Sequence, residues 1–123
     1  MSRKAKILIV DDDPNALDTM AAILESRDYQ VSTALSGLEA ISKACEEKPK
    51  LIIMDVMMPT LDGFTVCKML KENEEIKDIP VILVTGKGFI GDTENGFEVG
   101  ANDYMIKPID WERLFLKIKK FIP

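Results

Sequence analysis

The sequence predicts an α/β protein built on a single doubly wound, parallel five-stranded sheet with five helices. Two observations carry this. Short apolar runs recur at Lys6 to Val10, Gln30 to Ala34, Leu51 to Met54, Val81 to Thr85 and Asp103 to Ile106, and several are continuously apolar, as strands covered on both faces are. The segments between them carry apolar residues at helical spacing, so strand and helix alternate along the chain, the pattern of right-handed crossovers in a parallel sheet.

The helices follow in order. The first is marked by Leu17, Met20, Ala21 and Leu24, with Asp13-Pro14 as its start. Leu38, Ile41, Ala44 and Cys45 mark the second, and Ser36 with Glu39 forms its expected capping box. Phe64, Cys67 and Leu70 mark the third, capped by Asp62. A fourth helix is expected between the last two strands, short or mobile, because Gly86, Gly88, Gly91, Gly96 and Gly100 crowd that stretch and each interior glycine costs on the order of 1 kcal/mol relative to alanine. The last helix follows Asp110 and carries Trp111, Leu114, Phe115, Ile118 and Phe121 on one stripe that should close the sheet. Residues 1–123 read as one domain, without linker or repeat.

Composition narrows the function. A net charge of -5 leaves no basic excess for a nucleic-acid backbone or an anionic membrane, so direct nucleic-acid binding is disfavoured. The apolar run after the basic opening is too short for a signal peptide, nothing approaches a membrane span, and Cys45 and Cys67 read as core thiols of a reducing cytoplasm. The sequence contains no histidine. Histidine-based nucleophilic schemes and histidine-ligated metals are thereby excluded, leaving carboxylates, hydroxyls and lysines.

In an open α/β sheet the ligand site lies beyond the carboxyl ends of the strands. Those ends carry Asp11, Asp12 and Asp13, then Asp55, then Thr85, then Lys107-Pro108. Converging carboxylates repel one another unless a cation intervenes. Mg2+, or Mn2+ in its place, suits a few carboxylates with room left for phosphate oxygens. Asp55 is then positioned as a nucleophile forming an aspartyl phosphate, with Lys107 supplying fixed positive charge and Thr85 a hydroxyl donor. Asp13 is expected to start the first helix, and Asp62 to cap the third.

The stretches Ile7-Leu8-Ile9-Val10-Asp11-Asp12-Asp13-Pro14, Met54-Asp55-Val56-Met57-Met58-Pro59-Thr60-Leu61-Asp62-Gly63, Val84-Thr85-Gly86 and Gly100-Ala101-Asn102-Asp103-Tyr104-Met105-Ile106-Lys107-Pro108 closely resemble receiver domains of bacterial response regulators. The resemblance implies a flavodoxin-like strand order 2-1-3-4-5. It implies that Asp11, Asp12, Asp55 and the backbone carbonyl of Met57 hold Mg2+, that Asp55 is the phosphoacceptor, and that Thr85 and Tyr104 are the switch residues. The altered face of the fourth helix, fifth strand and fifth helix would be read by a downstream protein. The donor would be a histidine kinase or phosphotransfer protein, and the chain a monomer or phosphorylation-dependent dimer in the cytoplasm. Lys107-Pro108 matches a bond that is cis in many receivers.

Some positions depart from the family pattern. Gly86 stands where alanine is usual, Phe89, Ile90 and Gly91 replace a polar stretch, and Glu94 replaces an apolar residue. Met57 stands where some members orient water, which predicts slow self-dephosphorylation. The chain ends after the last expected helix, so no output domain is expected within it.

Three other readings are weaker. A phosphohydrolase working through an aspartyl phosphate would carry a second aspartate at position 57. A flavin-binding electron carrier would need a hydroxyl-rich loop after the first strand, where Asp11 to Asp13 would repel phosphate. A constitutive protein-binding scaffold would not need Asp55, Thr85 and Lys107 together. Gly86-Lys87-Gly88-Phe89-Ile90-Gly91 fits a dinucleotide-binding pattern, yet it follows the fourth strand rather than the first of a nucleotide-binding half.

Overall fold

A computed structural model describes residues 4–59, 61–86 and 99–123. It contains β1 (Lys6–Val10), α1 (Pro14–Ser26), β2 (Gln30–Ala34), α2 (Gly37–Glu47), β3 (Leu51–Asp55), α3 (Gly63–Glu72), β4 (Val81–Thr85), β5 (Asp103–Ile106) and α4 (Trp111–Phe121). The strands form one parallel sheet in the order β2-β1-β3-β4-β5, the expected order. Among the described residues there are four helices against the five expected. The missing one was expected on the glycine-rich stretch, most of which, with Phe89, Ile90, Glu94 and the dinucleotide-like pattern beyond Gly86, lies outside the described residues. The last expected helix is therefore α4.

Because side chains alternate across a strand, continuous apolar strands feed two cores at once. Leu8, Val10, Ile52, Met54, Val81 and Leu83 join one layer with Val66, Cys67 and Leu70 of α3 and Ala40 and Ala44 of α2. Ile7, Ile9, Leu51, Ile53, Ile82 and Val84 join the other with Leu17 and Leu24 of α1 and Leu114, Phe115 and Ile118 of α4. Trp111 and Phe121 pack against that second layer, as the stripe on the last helix predicted. Cys67 is buried and Cys45 half-buried, both as free thiols.

Each helix start is fixed by a side chain accepting a backbone N–H: Asp13 from Asn15, Ser36 from Glu39, Asp62 from Thr65 and Asp110 from Arg113. The carboxylate of Glu39 lies 3.5 Å from Lys43 Nζ. On the edge of the second layer Arg27 stacks over Phe115, 4.1 Å from the ring centre, tying α1 to α4. At the amino-terminal side of the last two strands, Lys71 Nζ donates to Ile79 O and Asn102 Oδ1, both at 2.8 Å. The same Asn102 Oδ1 accepts from Val81 N–H at 2.9 Å, so α3 and the approach to β5 are pinned to β4.

Candidate functional site

All the expected strand-end residues meet at one end of the sheet. β1 delivers Asp11, whose N–H donates to Ala34 O at 3.1 Å, and whose carboxylate accepts from Asp13 N–H at 3.0 Å. Asp13 thus caps α1 and also orients Asp11. Asp55 is itself the last residue of β3, one residue beyond the expected strand end, and is only 6% exposed. Its Oδ1 accepts from Met57 N–H at 3.2 Å. Thr85 ends β4 and is 4% exposed, with its hydroxyl 3.4 Å from Gly86 O.

Lys107 comes from just past β5, held by its N–H donating to Thr85 O at 2.7 Å, and the Lys107–Pro108 peptide bond is cis as expected. Its Nζ lies 3.5 Å from Asp55 Oδ2 and 3.9 Å from Asp11 Oδ2. One ammonium therefore serves two carboxylates. Asp12 is exposed at the rim, and oxygens of Asp11, Asp12 and Asp55 lie within 4.8 Å of one another.

The electrostatics show how crowded this end is. Burial pushes the Asp55 carboxyl above its ordinary range, opposed by the Met57 N–H and by Lys107. Burial also raises Asp11, opposed first by the Asp13 N–H, while Asp55 adds repulsion. These donors are hard oxygens with no histidine in the chain, and the charge they share is the kind a divalent ion relieves. The residues fit Mg2+.

Tyr104 is half-buried against the layer that includes Leu83, the residue it pairs with across β4 and β5. Thr85 follows Leu83 by two, so alternation puts Thr85 and Tyr104 on the same face of the sheet.

One site feature was missed in the sequence. A Cβ on Gly63 would lie 2.6 Å from Asp55 O and 2.7 Å from Val56 Cα, so only a hydrogen fits there. The Gly63 N–H also donates to Val56 O at 3.0 Å. The sequence marks Asp62-Gly63 only as a helix start, whereas in the structure the same pair seats α3 against the backbone of Asp55 and Val56. A glycine directly after a capping aspartate was the signal available.

A doubly wound sheet with buried Asp55, paired Lys107 and rim carboxylates at its carboxyl end defines a phosphoacceptor-type site. Residues 7–119 match the response regulator receiver domain family. The chain is 41% identical over 114 residues to protein PilH of Pseudomonas aeruginosa, covering 93% of this chain and 94% of PilH. It is 40% identical over 117 residues to the DNA-binding dual master transcriptional regulator RpaA of Synechocystis, covering 95% of this chain but only 48% of RpaA. In structure it is similar to the receiver domain of a sensor histidine kinase from Pseudomonas aeruginosa that holds a magnesium ion in its active-site cleft, with TM-score 0.88, 30% identity and coverage of 98% of each chain. The chain belongs to the response-regulator receiver family, whose members are phosphoacceptor switches of two-component signalling.

Proposed function

We propose that residues 1–123 form one receiver domain that takes a phosphoryl group on Asp55 from the phosphohistidine of a separate histidine kinase or phosphotransfer protein. One observation carries this reading: the only cation within reach of the buried Asp55 carboxylate among the described residues, Lys107 at 3.5 Å, also reaches Asp11. That end of the sheet thus holds more negative charge than its own cation balances, which suits it to a divalent ion that could in turn admit a phosphoryl group.

The chemistry follows from the side chains. An Asp55 oxygen attacks phosphorus, the bond from phosphorus to the donor's imidazole nitrogen breaks, and the imidazole leaves with the electron pair. Asp11, Asp12 and Asp55, with the backbone carbonyl of Met57, would hold Mg2+ or Mn2+. Once bound, the ion would neutralise charge on the phosphoryl oxygens. Lys107 moves from pairing Asp55 to pairing the new phosphoryl group, and Thr85 turns its hydroxyl from Gly86 O to a phosphoryl oxygen. Tyr104, on the same face, repacks into the space Thr85 vacates.

The consequence is a changed surface on β5, α4 and the segment before β5. On that surface Asp103 and Lys117 form an ion pair of 2.9 Å, largely shielded from water. It would be read by a downstream protein rather than directly by nucleic acid, in the cytoplasm, by a monomer or a phosphorylation-dependent dimer. No described helix is long and apolar enough to cross a membrane. The chain acts as a switch and not as a turnover enzyme. The exposed Met57 side chain cannot orient water, so the aspartyl phosphate is expected to persist longer than in members with a polar residue there.

Acetyl phosphate, with and without Mg2+, tests the assignment by intact mass. One metal-dependent phosphoryl adduct is expected on the wild type and none on Asp55→Asn. An adduct that survives in Asp55→Asn would move the acceptor elsewhere.

A further inference from the structure

The acceptor cleft does not end at its charged residues. A cavity of about 660 Å3 runs from Asp11, Asp55 and Lys107 into the gap between α1 and the start of α4. There its walls are apolar: Ala16 and Met20 on the α1 side, Ile109 and Trp111 on the other. All four are half-buried, so an occupant would withdraw further apolar surface from water.

That volume falls within the range of about 300–1,000 Å3 typical of small-molecule sites and exceeds what a phosphoryl group alone fills. A mainly apolar chamber with a few charged groups converging at one end is also the usual layout of such sites. Here the charged end contains the nucleophile. A ligand spanning both parts would place a phosphoryl group at Asp55 and an apolar body against Trp111.

Resting on the reading of Asp55 as acceptor, we propose that the chamber binds the leaving half of a small organic phosphodonor, an acyl phosphate with a planar apolar body such as an aryl carboxylate. An Asp55 oxygen forms the new bond to phosphorus as the bond between phosphorus and the carboxylate oxygen breaks. The aryl carboxylate leaves with the electron pair, no proton moves and no redox partner is required. Acetyl phosphate reacts at the same acceptor but leaves the chamber empty.

The test uses the full chain with Mg2+ and compares benzoyl phosphate with acetyl phosphate, following the Asp55 adduct by intact mass. Burial of a phenyl ring is expected to lower the donor concentration for half-maximal rate by about tenfold. Binding is read separately with phenylphosphonate, which cannot transfer its phosphoryl group. It should change the emission of Trp111, the single tryptophan, at concentrations where methylphosphonate does not. Ala16→Leu, or Thr19→Phe at an exposed position lining the same chamber, should bring the two donors toward equality and weaken phenylphosphonate.

Equal use of both donors with no Trp111 response, or a preference that survives both substitutions, overturns the proposal while acetyl phosphate still labels Asp55. The chamber would then belong to a side chain of the donor protein. Failure of both donors to label Asp55 overturns the phosphoacceptor reading itself.

Discussion

At the scale of single residues, the site balances one ammonium against three carboxylates. Asp11 and Asp55 have carboxyls raised by burial, so the folded chain retains protons at pH values where the unfolded chain has released them. Their contribution to stability is then fully present below the ordinary aspartate range and is lost as pH rises through the raised folded values. In urea titrations without divalent ions, the wild type is expected to lose stability through that window, and Asp55→Asn to lose less. Added Mg2+ should restore about 1.4 kcal/mol at ten times its Kd, by binding the native state alone. A pH profile identical in Asp55→Asn would contradict this account. On the proposed reading Lys107 has a different role, since its charge would be most useful when phosphoryl charge is being transferred. Lys107→Met is expected to slow labelling by acetyl phosphate on the order of a hundredfold, as loss of one preorganised charge partner does, while any adduct that forms stays on Asp55.

At the scale of elements, Asp55 is placed by how α3 meets β3. The Asp62 carboxylate holds the first turn through Thr65 N–H at 2.9 Å, and Gly63 allows the helix to touch the Asp55 backbone. Gly63→Ala is expected to destabilise the fold by about 1–3 kcal/mol through overpacking, and to slow phosphorylation as well because the displaced atoms belong to the acceptor. Denaturant midpoints and adduct kinetics on the same sample check both effects. A stable variant with wild-type kinetics would show that the contact is not needed. The local signals for these elements were clear in the chain: the strand limits follow apolar runs, and each of the four capping residues precedes a helical stripe. Gly63 was less legible because its constraint comes from Asp55 and Val56, residues on another element.

At the scale of the whole molecule, the central strands sit between two apolar layers, and Cys67 lies wholly inside one of them. Burial pushes its thiol up to about 11, so the reactive thiolate is scarce in the folded state. With an aromatic disulfide reagent at neutral pH, half-buried Cys45 is expected to react first and Cys67 only at the rate the core opens, accelerating with urea. Rapid labelling of Cys67 in native buffer would mean that the α3 layer is looser than its packing.

Among the described residues, the sequence by itself determined the strands and helices, with β3 one residue longer than expected, and that Asp11, Asp12, Asp55, Thr85 and Lys107 stand at or just beyond strand ends. These features rest on hydrophobic period and capping chemistry, which act over a few neighbouring residues. Strand order was legible only through resemblance, because periodicity does not say on which side of a sheet the next strand lies. The tertiary structure decided the rest: Lys107 shared between Asp55 and Asp11, Gly63 against Asp55, and an apolar chamber between Met20 and Trp111. Each depends on segments tens of residues apart being packed side by side, and no local pattern specifies that distance.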